Sequence, residues 1–189
     1  IKNDLNISFE NTQLILTLYF TFLAFGQILS GPFSDKYGRK PILLLGASIY
    51  SISAFFASLS SNIDILLILR CFQGFGAAAC LSVGRTILSD CYEIKEAAKE
   101  MSKMTAIMAV IPISCFIFGG FLAEFLGWRT NLLALGLISL ILIIAMSFLL
   151  NETLIKKAKS ISFKNIFIVY RGLLKNLSFN FFTITTAMQ

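Results

Sequence analysis

Apolar residues along this chain gather into long runs, and short polar stretches separate one run from the next. Each run holds roughly 18 to 24 residues, about the length a helix needs to cross a hydrocarbon layer of about 30 Å. The pattern predicts membrane-crossing helices over 13–33, 42–59, 65–88, 104–126 and 131–150, with another apolar stretch beginning near 177. Helices are expected because backbone groups in lipid must find their hydrogen-bond partners within the segment itself. The polar stretches at 60–64 and 127–130 are so short that the helices they join should pack as antiparallel neighbours.

Charge follows the same pattern. Lys36, Arg39 and Lys40 fall in one polar stretch, Lys95, Lys99 and Lys103 in the next but one, and Lys156, Lys157, Lys159, Lys164, Arg171 and Lys175 in the last. The alternate stretches hold only Lys2 and Arg129. The excess of cations places 34–41, 89–103 and 151–176 in the cytoplasm and residue 1 on the outer side of a cell inner membrane. Residues 151–176, with Ile166, Val169, Tyr170, Leu173 and Leu174 at helical spacing, read as a basic amphipathic linker against the inner leaflet. The first residue is isoleucine, no signal peptide is visible, and the apolar stretch after 177 is too short to cross; both ends read as cut.

Composition supports this reading. Hydrophobic residues make up 57% of the chain and charged residues 14%, and the mean hydropathy is +0.81, far from the soluble range. The net charge of +6 forms no continuous basic face, which argues against a nucleic-acid partner. With no histidine, and with Cys71, Cys80, Cys91 and Cys115 widely spaced, neither a metal site nor a cofactor nor an enzyme's nucleophile–base set is expected.

Two groups of residues exceed what a plain helix bundle needs. The stretch Gly31 to Lys40 reads as a charged bend in which Asp35 can reach Arg39 at i+4, while Gly31 and Asp35 share a face. Asp35 would sit at the negative end of its helix dipole and so demands a partner, either Arg39 or another helix's amino terminus. Arg70 lies inside the third run, with Gln73 and Gly74 following at i+3 and i+4, so it requires a polar cavity or partner. Small residues from Gly74 through Gly76, Ala77, Ala78, Ala79 and Ser82 to Gly84 mark that run as interior. Arg85 and Asp90 bracket its inner end as an ion pair or a cap. Gly119 and Gly120 should admit a close neighbour, and Pro112 should bend its helix.

These residues together resemble the amino-terminal half of a major facilitator superfamily transporter of the bicyclomycin-resistance drug/proton antiporter type. Gly31, Asp35, Gly38, Arg39 and Lys40 are similar to that family's loop between helices 2 and 3, and Arg70, Gln73, Gly74 and Gly76 to its Arg-x-x-Gln-Gly-x-Gly pattern in helix 4. Arg85 and Asp90, Gly127-Trp128-Arg129 and Asn151-Glu152-Thr153-Leu154 also fit. The helix 5 pattern departs: Cys115 and Phe116 stand where the family has Gly-Pro, whereas Gly119, Gly120 and a displaced Pro112 remain.

The resemblance implies an all-α integral membrane protein holding helices 2 to 6 over 1–150, a linker over 151–176 and the start of helix 7 over 177–189. It implies proton-coupled efflux of amphipathic small molecules by alternating access, with protons, membrane lipid and a second half-bundle as partners. Asp35 and Arg39 would help lock one face of the bundle, and Arg70 would serve proton coupling or cavity polarity. The competing expectations are metabolite or sugar symport, and a truncated or split fragment that does not transport.

Overall fold

The computed structural model describes residues 9–154, 171–173, 175–177 and 180–181, so most of the linker and of the stretch after 177 lies outside the described residues. Five helices follow one another: α1 (Phe9–Tyr37), α2 (Arg39–Leu59), α3 (Ile63–Cys91), α4 (Ile94–Leu126) and α5 (Trp128–Leu149). All five are long and apolar enough to cross a membrane. The described chain is thus all-α, as the run pattern requires.

The helices are longer than the apolar runs, and the connections shrink accordingly. The expected bend from Gly31 to Lys40 is helical on both sides of Gly38; α1 continues through Pro32 to Tyr37, and α2 begins at Arg39. The whole reversal falls on Gly38, whose φ of 112° is one that residues with a side chain rarely adopt. The expected loop at 89–103 likewise reduces to Tyr92 and Glu93. With 33 residues, α4 is about 50 Å long. It therefore exceeds the hydrocarbon layer, so its charged first turns remain helix beyond the lipid instead of unwinding.

The small-residue run does make α3 the interior helix, packed along both α1 and α2. A side chain at Gly74 would strike the Tyr19 backbone of α1, and one at Gly76 would come within 2.5 Å of the Gly46 carbonyl of α2. Gly84 does not belong to this set, since a Cβ there meets nothing within 4 Å among the described residues. On its other side α2 packs against α5. Ser51 donates to the Gly136 carbonyl at 2.8 Å and Ser139 to the Ala47 carbonyl at 3.3 Å, a reciprocal pair that ties the two backbones without burying an unpaired hydroxyl.

Helix α4 lies at the edge. Among its described residues only Ala97 is buried, while Phe116, Ile117, Phe118 and Phe121 are exposed. The close approach expected at Gly119 and Gly120 is absent among the described residues. Among the described residues a Cβ at Gly120 would meet nothing within 4 Å, and one at Gly119 only the Asn131 amide at 3.9 Å, because α4 packs chiefly on α5 and α3. Pro112 lies inside α4, which runs through it as one helix. Asn131 of α5 donates to the Gly119 carbonyl at 2.9 Å and tethers the two helices.

Candidate functional site

The two ends of the bundle are held by opposite physics. At one end Ile15, Ala57, Leu66 and Leu132 form an apolar cluster, with Trp128 packed against it. The Arg129 guanidinium stacks 4.4 Å from the Trp128 ring and donates to the Ser60 carbonyl, placing a cation at the carboxyl end of α2, where the dipole favours it. At the other end the closure is ionic.

Arg39, the first residue of α2, is buried, and it reaches the carboxyl ends of two other helices. Its Nη1 lies 2.5 Å from the Asp35 carboxylate of α1 and donates to the Ser34 hydroxyl at 2.7 Å. Its Nε donates to the Asp90 carboxylate of α3 at 2.9 Å. The guanidinium fork makes this possible, since its planar donors can serve separate acceptors at once. Ser34 in turn donates to the Gly31 carbonyl at 2.8 Å. Lys40 donates to the Ser147 carbonyl of α5 at 2.8 Å, which puts a cation at a third helix's carboxyl end.

The carboxyl ends of α1, α3 and α5 thus each receive a cation from the start of α2, which on its own dipole would rather face an anion. Glu152, just past α5, supplies it. Its carboxylate accepts from the Arg39 backbone N–H at 2.9 Å and from that of Lys40 at 3.3 Å, capping α2 from more than a hundred residues away. A Cβ at Gly38 would sit 2.5 Å from Glu152 Oε2, so Gly38 both permits the reversal and leaves room for the cap. Burial pushes the Glu152 carboxyl up, but the N–H groups of Leu154, Arg39, Lys40 and Thr153 outweigh it and hold it below the ordinary carboxylate value.

A carboxyl held low in the folded protein contributes stability above its unfolded value, and that contribution is lost as pH falls through the lowered value. Because Glu152 is largely exposed, the cap contributes only about 0.5 to 1 kcal/mol. Glu152→Gln is expected to remove that amount at neutral pH and to flatten the acid slope of the melting temperature below about pH 4. An unchanged slope in thermal melts of the purified variant would show that the cap is energetically silent.

The expected link between Arg85 and Asp90 is not formed. Asp90 pairs with Arg39, and Arg85 makes no ion pair among the described residues. Five residues of helix carry a side chain about 140° round the axis, so the two cannot share a face. Asp35 does have the partner its dipole position demands, in Arg39. A Cβ at Gly31 meets nothing within 4 Å among the described residues, so the described packing does not require glycine there.

The second group sits among α1, α2 and α3. Arg70 donates to the Gln73 amide oxygen at 3.0 Å, and Gln73 is fully buried. Tyr19 of α1 and Tyr50 of α2 stand close enough to feel the Arg70 charge. Arg70 Nε has no hydrogen-bond partner among the described residues, whereas the Gln73 amide lies against the Tyr50 hydroxyl. An N–H is a donor only, so this small site offers one unfilled donor to an acceptor. The two tyrosines carry no motif spacing and were invisible in the sequence. No group of three or more potential metal ligands exists among the described residues.

Comparison with known proteins agrees with this architecture. A family model described as Major Facilitator Superfamily matches residues 1–188. The bicyclomycin resistance protein homolog of Haemophilus influenzae is 32% identical over 153 residues, which cover 81% of this chain and 38% of that protein. The MFS-type transporter YdgK of Bacillus subtilis is 36% identical over 156 residues, covering 82% of this chain and 39% of its own length. The multidrug resistance protein MdtL of Escherichia coli is 28% identical over 153 residues, with coverages of 81% and 39%. The aligned part of the chain thus spans under two-fifths of each of these relatives.

Proposed function

Because the chain belongs to the Major Facilitator Superfamily, we propose that it works in a secondary active transporter that exports amphipathic small molecules in exchange for protons by alternating access. The observation that carries this reading is Arg39, one cation that joins α2 to the carboxylates ending α1 and α3. Alternating access requires an end that closes firmly and still opens. A cluster of ion pairs near water suits that role, because each charge released on opening is rehydrated. The apolar cluster at the opposite end has no such return path. In this scheme Asp35, Arg39, Lys40 and Gly38 form a cytoplasmic latch, with residue 1 outside an inner membrane, and Arg85 takes no part in it.

Arg70 borders a cavity whose other wall comes from a second bundle, with Gln73 buried beside it and Gly74 packed on α1, and its unfilled Nε donor meets an acceptor on the substrate or on that wall. The exposed apolar length of α4, with Pro112, Gly119 and Gly120, supports such a covering bundle. Every acidic residue within the five helices lies towards a helix end, so the proton is carried by a group outside them. The names of the bicyclomycin-resistance and multidrug-resistance relatives favour drug-like substrates over sugars.

The test is fluorescent-dye accumulation in cells producing the protein, with and without an uncoupler. Accumulation should fall on expression, recover with the uncoupler, and recover at least about fivefold in Asp35→Asn at equal membrane abundance. Export that ignores the uncoupler would sink proton coupling, and full export by Asp35→Asn would sink the latch.

A further inference from the structure

An apolar groove opens between α1 and α2 on the side where they splay from their shared reversal at Gly38, with α3 as its floor. Leu29 and Phe33 line one wall, Ile42, Leu45 and Ile49 the other, and Phe75 the floor, around a cavity of about 160 Å³. Leu45 is 54% exposed, so the groove opens to the surroundings at that wall. An apolar cavity of this size stays dry, and in a bilayer the material that fills it is hydrocarbon.

The groove ends under a cation. Leu29, Phe33 and Lys36 fall at i, i+4 and i+7 on α1 and so share one face. The Phe33 ring, which lines the groove, is stacked on Tyr37 with centroids 6.1 Å apart, and the Lys36 ammonium lies 4.9 Å from the Tyr37 ring centroid. Lys36 makes no ion pair among the described residues, unlike Arg39 three residues on. Tyr37 is 47% exposed, an amphipathic ring at a helix end, the kind of residue that favours a membrane–water interface. A hydrocarbon slot therefore leads to an aromatic ring and a positive charge that no carboxylate neutralises among the described residues.

We propose that this groove is a binding site for an anionic phospholipid of the inner leaflet, one acyl chain lying between α1 and α2 and the phosphate resting on Lys36. Zwitterionic lipid could fill the slot with its chain, but its headgroup carries a cation that Lys36 repels. The inner leaflet holds the anionic lipids, and a basic residue beside a helix groove there is the feature that selects them. Bound lipid would wedge α1 and α2 around Gly38, next to the latch. The inference rests on the membrane placement of the helices and not on transport, so it stands or falls apart from the efflux reading.

Native mass spectrometry of the full protein, released from detergent with phosphatidylglycerol or phosphatidylcholine added, decides it. One phosphatidylglycerol should be retained in preference to phosphatidylcholine. Lys36→Gln should lower its occupancy about fivefold, as expected for roughly one cation's attraction. Lys99→Gln removes an equal charge away from the groove and should change little. Leu45→Gln should weaken retention of either lipid. Equal retention of both lipids by the unaltered protein would overturn the headgroup assignment. Equal losses in the two lysine variants would reduce the effect to diffuse attraction, and a dimer in place of a lipid adduct would assign the groove to a second copy.

Discussion

Arg39→Gln is expected to cut dye export at least about tenfold and to destabilise the protein by about 2 kcal/mol. The substitution removes the only group among the described residues that spans Asp35 and Asp90, and it leaves both carboxylates at the negative ends of α1 and α3. Were all three charges deeply buried, the loss would be larger, about 3 to 5 kcal/mol. The Asp35 side chain is 51% exposed and that of Asp90 27%, so water screens part of the repulsion. Arg39→Lys should recover only a minor share, since an ammonium cannot hold Ser34, Asp35 and Asp90 together as the guanidinium fork does. Melting temperature and export measured on the same preparation separate the two effects. Wild-type export by Arg39→Gln at normal abundance would show that the cluster is structural only.

Gly76→Val should leave little folded protein in the membrane. A Cβ there would lie 2.5 Å from the Gly46 carbonyl and 2.7 Å from the Tyr50 backbone nitrogen, and neither backbone atom can swing aside as a side-chain tip could. The two helices must then separate along their length, which costs about 1 to 3 kcal/mol or more in lost packing. In lipid this loss is not offset by hydrophobic collapse, because separated helices are covered equally well by acyl chains. Gly84→Ala is the matched control on the same helix, with nothing within 4 Å of the added methyl group among the described residues, and should leave yield unchanged. Size-exclusion yield after mild solubilisation reads both. Normal recovery of Gly76→Val would mean that α2 and α3 do not pack as tightly as their glycines imply.

Much of the fold was legible because lipid imposes a length and a polarity on every segment that crosses it. The five runs, the interior character of α3 and the link from Asp35 to Arg39 were all local properties, readable from spacing along one helix or across one reversal. The helix ends were less legible, since a helix does not stop where the hydrocarbon stops; the charged first turns of α4 and the whole of Lys36 to Lys40 apart from Gly38 stayed helical. The Arg85 to Asp90 pairing failed because proximity along the chain counted for less than angular position about the helix axis. Gly119 and Gly120 looked like contact points, and among the described residues no helix lies close enough to use them.

By itself the sequence determined that this is a multi-helix membrane chain and which residues could not be there for solvation alone. Tertiary structure decided who partners whom. Asp90 finds Arg39 and Glu152 caps α2 only because four helix ends converge at one place, and that convergence is set by the glycine contacts of α3 with α1 and α2. Local rules carry as far as four or five residues along a helix. A carboxylate 113 positions away from the N–H it accepts lies beyond their reach, and only the packing of whole helices brings the two together.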